Sequence, residues 1–115
     1  MSTSDCIFCK IVAGTIPARR IYQDDQIIAF PDLNPQAPSH FLVIPREHIA
    51  SLSDVAPAHT GLLGQLLAAA SGVARQQGLG DGYRVVINTG PDGGQTVGHL
   101  HLHLLGGRAM HWPPG

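Results

Sequence analysis

The sequence predicts an α+β domain, one antiparallel sheet with helices on a face, and three observations carry that reading. The chain has 115 residues, 43% of them hydrophobic, with a mean hydropathy of +0.08, enough for one domain with a core of its own. Short strand-like runs sit on tight connections, in the order helix, three strands, helix, two strands. The last of them, His99-Leu100-His101-Leu102-His103-Leu104-Leu105, alternates strictly over its first six residues, with three imidazoles on one face and three leucines on the other.

The elements follow in order. Residues 6–13 make a short helix, with Ile7, Phe8, Ile11 and Val12 at helical spacing and Gly14 as its stop. Arg20–Gln23 and Gln26–Phe30 read as two strands around Asp24-Asp25. Residues 31–39 hold three prolines and form a loop. His40–Arg46 is a strand. A main helix spans about 57–77, with Pro57 in its first turn, Gly78 at its end, and a stripe of Leu62, Leu63, Leu66, Leu67, Ala70, Val73 and Ala74. Tyr83–Asn88 is the fourth strand, and a glycine-rich loop leads from Thr89 to Gly98 into the histidine strand. One long helix over one sheet leaves apolar surface elsewhere, which favours a homodimer.

Charge and composition narrow the function. A net charge of −1 with no run of like charges argues against a nucleic-acid footprint. No apolar stretch is long enough to span a bilayer, and Met1–Asp5 lacks a basic-then-apolar leader pattern. A cytoplasmic protein is expected. Its two cysteines, Cys6 and Cys9, then point to metal or redox chemistry before a structural disulfide.

Same-face neighbours on a strand lie about 6.6 Å apart, so the outer histidines are about 13 Å apart. With zinc–nitrogen bonds near 2.0–2.1 Å, the three cannot share one ion, and they must have different tasks. Cys6-x-x-Cys9 alone also fits two small buried helix residues. As a zinc site it needs two more donors, for which His48 and one member of the row are placed, with His59 and His111 as others; His59, in the first turn of the long helix, reads as an exposed residue. The loop 88–98 offers backbone N–H groups to an anion, with Gln95 and Thr96 as further donors, although a Gly-Gly pair also makes an ordinary turn. Asp32 can bind a ribose diol or simply cap a turn.

Taken together, these residues resemble the histidine triad superfamily, and within it the Hint phosphoramidases. His99–Leu105 carries the His-x-His-x-His pattern. Phe30–Ile49, Gly82–Asn88, Asp92-Gly-Gly-Gln95, Leu105-Gly-Gly-Arg108 and Met110–Gly115 match as well, so that the resemblance covers roughly residues 5–115. It implies a single HIT domain over 1–115, with the tail 106–115 at the edge of the active site and of the dimer. The implied fold is HIT-like: a five-stranded antiparallel sheet, one long and one short helix, and a dimer that forms a continuous larger sheet.

The resemblance implies hydrolysis of the P–N bond of purine nucleoside 5′-phosphoramidates to the monophosphate (an AMP- or GMP-type ligand) through a nucleotidyl-histidine. His101 is the implied nucleophile, Asn88, Gln95, Thr96 and His103 the phosphate contacts, and Asp32 the ribose contact. Ile7, Phe8, Ile11, Phe30 and Leu33 are implied to line the base pocket, and Trp112 to reach the partner subunit's site. Relatives with a Cys-x-x-Cys imply a structural zinc on Cys6, Cys9, His48 and His99, with no metal needed for catalysis. Thr96 stands where many relatives have serine, which bears on leaving-group preference, and Gly98 replaces a larger residue just before the triad, which loosens that approach. Other readings are a nucleotide- or partner-binding protein with incidental turnover, a dinucleoside polyphosphate hydrolase, and a small zinc-binding structural module.

Overall fold

The computed structural model describes residues 3–115. Its order is α1 (Ile7–Ala13), β1 (Tyr22–Gln23), β2 (Ile27–Pro31), β3 (Ser39–Pro45), α2 (Thr60–Gln76), β4 (Tyr83–Val86) and β5 (Leu102–Gly106). The five strands form one sheet, β1-β2-β3-β5-β4, antiparallel at every pairing. Among the described residues no helix is long and apolar enough to cross a membrane.

The helices pack on opposite faces of the sheet, not on one face as the element order suggests, because β2 and β3 are apolar on both. Ile27, Ala29, Phe41, Val43, Leu102 and Leu104 pack with α2. Their alternates Ile28, Phe30, Leu42 and Ile44 pack with Phe8 and Ile11 of α1. Near-continuous apolar runs are what strands covered on both faces require. The register sets Leu42 opposite His103 and Val43 opposite Leu102, so the histidines lie on the α1 side and the leucines on the α2 side.

Both helices end as their glycines dictate. Gly14 has φ +81° and donates its N–H to Ile11 O at 3.1 Å; Gly78 has φ +75° just past α2. Pro57 opens a separate 3-10 turn, Pro57–His59, ahead of α2. The buried stripe of α2 is Leu66, Ala69, Ala70, Val73 and Ala74, while Leu67 is exposed. Leu67 is about 100° around the helix from Leu66, which carries it off the core-facing side that Ala69 occupies instead.

The histidine segment differs from its sequence reading. Regular pairing begins at Leu102, and His99–His101 lie outside the ladder. The N–H of Leu100 donates to Ile49 O at 2.6 Å, beyond the end of β3, so the segment turns away from β3 after Val43.

Candidate active site and metal cluster

Cys6 caps α1, its sulfur accepting the N–H of Cys9 at 3.3 Å, and this brings both thiols to one end of the helix. Cys6 Sγ lies 3.3 Å from His99 Nδ1; Cys9 Sγ lies 3.2 Å from His48 Nδ1 and 3.6 Å from His99 Nδ1. All four donor atoms are within 4.8 Å of one another. A zinc tetrahedron with Zn–S near 2.3 Å and Zn–N near 2.0–2.1 Å has edges of about 3.3–3.8 Å, so the set fits such an ion. The His99 ring is turned for it, because its Nε2–H donates to Pro45 O at 2.9 Å and leaves the Nδ1 lone pair facing the thiols. Burial holds the His99 pKa below its ordinary value. Burial first, and then the neighbouring Cys6, push the Cys9 thiol up to about 11, so a bound cation is what would favour thiolates here. His59 and His111 take no part. His59 is half-buried rather than exposed: its Nδ1 accepts the N–H of Ala56 at 2.9 Å and its Nε2 meets Glu47 Oε2 at 2.9 Å.

His101 is buried beside this cluster. Its Nδ1 lies 2.7 Å from the carbonyl oxygen of His99, an acceptor that fixes the proton on Nδ1 and leaves Nε2 bare. The Phe8 ring stands edge-on to His101 and to His99, with centroids 5.2 Å and 5.7 Å away. The His103 ring follows at 5.0 Å from His101.

His103 belongs to a second cluster, with Asp32 and His40. The N–H of Gln36 donates to His40 Nδ1 at 3.0 Å, which puts the His40 proton on Nε2. That Nε2–H faces His103 Nδ1 at 2.9 Å and Asp32 Oδ2 at 3.4 Å. A nitrogen carrying a proton offers no lone pair to a metal, so this trio is a hydrogen-bond relay, unlike the cysteine cluster. The relay leaves a proton on His103 Nε2, available to an anion. Burial holds the pKa of both His40 and His103 below 6.5. His40 was not picked out as a site residue in the sequence. It stands in an apolar strand, inside the matching stretch Phe30–Ile49, and only the register, which sets Leu42 of the same strand face opposite His103, shows what it does.

The remaining candidates separate. Asn88 and Gln95 are half-buried and Thr96 is exposed; Gln95 and Thr96 line a depression of about 360 Å³ with Ala50, Ser51, Gly90, Pro91 and Gly98. The Gln95 amide, expected at the phosphate, is engaged with the loop itself and with Ala50. Of the five residues expected around a base, Phe8 and Ile11 of α1 and Phe30 of β2 are buried between helix and sheet, whereas Ile7 is 46% and Leu33 100% exposed. They do not share one environment, since Leu33 lies in the proline-rich connection with nothing packed over it. Trp112 is 83% exposed, on a tail held by a hydrogen bond from Arg84 Nη2 to His111 O at 2.7 Å.

Residues 5–111 match the family described as "Scavenger mRNA decapping enzyme C-term binding". A HIT family hydrolase from Legionella pneumophila superposes with a TM-score of 0.94 and 51% identity, covering 96% of this chain and all of the other. The chain belongs to the histidine triad (HIT) family of hydrolases. Other relatives of this HIT protein carry more specific names. A 14 kDa zinc-binding protein of Zea mays is 50% identical over all of this chain and 91% of its own. The adenylylsulfatase HINT1 of Arabidopsis thaliana is 48% identical over 99% of this chain and 79% of its own. A histidine triad protein from Clostridium difficile shares the fold at a TM-score of 0.92 and 43% identity, covering 96% and 97% of the two chains. These Hint-like relatives make the likeness one of sequence as well as fold.

Proposed function

We propose that this HIT protein hydrolyses purine nucleoside 5′-phosphoramidates by covalent catalysis at His101. The observation that carries the reading is the 2.7 Å contact from His101 Nδ1 to His99 O, which leaves Nε2 as the free nucleophile. Nε2 attacks the α-phosphorus, the P–N bond breaks, and the amine departs with a proton. Water then attacks phosphorus, the phosphorus–imidazole bond breaks, and the nucleoside monophosphate leaves. The protein's part is largely to aim donors at the phosphoryl oxygens: the His103 Nε2–H, Asn88, Thr96 and the N–H groups of the glycine loop. Asp32 binds the ribose hydroxyls through Oδ2, since Oδ1 already accepts the N–H of Asn34 at 2.9 Å. Phe8, Ile11 and Phe30 form the floor under the base, with Ile7 and Leu33 free to close over it.

Cys6, Cys9, His48 and His99 hold a structural zinc in this reading, supported by sulfur–nitrogen separations of 3.2 to 3.6 Å within the cluster, close to the edges of a zinc tetrahedron. A second copy pairs along the open edge of β4, and Trp112 reaches its partner's site. Two unpaired cysteines are consistent with a cytoplasmic location. The name of the Arabidopsis relative supports a second substrate, adenylyl sulfate, in which sulfate leaves in place of the amine.

The test is to react the protein with a slowly turned-over adenosine phosphoramidate, quench, and map the adduct by mass spectrometry. An adenylyl group on His101 is expected. An adduct on another residue removes His101 as nucleophile, and turnover without an adduct removes the covalent route.

A further inference from the structure

Three successive residues after β3 each hold a different part of the site. His48 turns its Nδ1 to Cys9 Sγ at 3.2 Å. The carbonyl of Ile49 accepts the N–H of Leu100 at 2.6 Å, between the metal-facing His99 and the nucleophile. The carbonyl of Ala50 accepts Gln95 Nε2 at 2.8 Å. The rest of the Gln95 amide is spent as well: Nε2 also donates to Val97 O at 2.9 Å, and Oε1 accepts the N–H of Gly90 at 3.1 Å. A primary amide has two N–H donors, so none remains for a bound phosphate.

We infer that Gln95 is a positioning residue, and that His48–Ala50 couples the Cys6/Cys9/His48/His99 cluster to the glycine loop, so that metal binding orders residues 88–98. The inference rests on the metal reading above and deepens it. Residues 48–50 belong to no helix or strand, so their place is set by what their side chains and carbonyls hold. Ile49 is buried and fixes the middle of the segment. Three residues of extended chain reach only about 10 Å, too short to absorb a shift of His48 without moving the Ala50 carbonyl. When the metal holds His48, that carbonyl stands still for Gln95, and Gln95 in turn closes the loop between Gly90 and Val97. Coupling of this kind is reciprocal: what metal does for the loop, the loop does for metal affinity.

The experiment is hydrogen exchange on the full chain, metal-loaded and after chelation, beside Gln95→Ala, with metal content measured in every sample. In the native protein, chelation is expected to speed exchange of amides in 88–98 by at least about fivefold, the lower end of measured couplings. Amides of β4, which make no bond to 48–50, should not change. In Gln95→Ala the loop should exchange fast in both states, and metal affinity should fall by the same factor. Bound metal whose removal leaves loop exchange unaltered overturns the coupling and spares the metal reading. A chain that binds no metal overturns both. Gln95→Ala that weakens AMP binding yet keeps the metal response makes Gln95 a ligand contact and overturns its positioning role.

Discussion

His40 and His103 share one hydrogen bond, Nε2 to Nδ1 at 2.9 Å, between neighbouring strands, and Asp32 stands 3.4 Å from the same His40 nitrogen. This pair gives His103 its tautomer. His40→Ala removes the partner that turns the His103 Nε2–H outward. Losing one aimed donor costs about 10²–10³-fold in rate. A fall in kcat/KM of about a hundredfold is expected, and a variant with native kcat/KM would show the relay to be idle.

The same pair sets an acid limb. Burial chiefly, opposed by Asp32, holds the His40 pKa below 6.5; burial, then His101 and His40, lower that of His103. A depressed histidine pKa means that the unfolded chain binds the proton more readily, so stability is complete above pH 6.5 and is lost as pH falls through the folded-state pKa. Tm should therefore hold to pH 6.5 and begin to drop below it, whereas kcat/KM should fall only at the lower pH where His40 and His103 of the folded protein take up protons. His40→Gln should flatten the Tm profile in that window, and an unchanged profile would assign the acid loss elsewhere.

His101→Ala removes the proposed nucleophile while leaving the proposed phosphate and ribose contacts in place. Hydrolysis of an adenosine phosphoramidate should fall by at least about a thousandfold, with AMP binding kept within about tenfold. Calorimetric titration with AMP beside a product assay distinguishes this from a protein whose purpose is binding.

Cys6→Ala/Cys9→Ala removes two of four donors together with the sulfur that caps α1. Stoichiometric zinc in the native protein and none in the variant is expected, with a lower Tm, because a seven-residue helix is marginal without tertiary support. Equal zinc in both would sink the cysteine site.

Gly93 packs against the backbone of Thr89, where an added Cβ would stand 2.2 Å from its carbonyl oxygen. Gly93→Ala must push the loop open, at a cost of about 1–3 kcal/mol. Deleting residues 110–115, which are largely exposed, should instead leave Tm nearly unchanged and alter leaving-group preference. Tm and a small panel of amine leaving groups, measured on both variants, check the two expectations.

The element order, both helix ends and the pairing of Cys6 and Cys9 with His48 and His99 were legible in spacing and family pattern. Periodicity could not say that β2 and β3 are covered on both faces, since Ile27, Ile28 and their neighbours read as apolar either way. Nor could it show that His99–His101 leave the ladder, because alternation persists where pairing stops. The part played by His40 depends on a register between β3 and β5, and that of Gln95 on a carbonyl 45 residues away. Neither leaves a local mark.

The short span of β5 has a cost and a use. Were the ladder to continue from Leu102 back to His99, the Ile44 and Pro45 end of β3 would gain a neighbour and the sheet would be the stronger for it. The carbonyls of Pro45 and His99 are instead spent on imidazole nitrogens. A stabilising substitution that lengthened this strand would therefore be expected to disarm the site, trading its ordered tautomers for three more pairs of regular sheet.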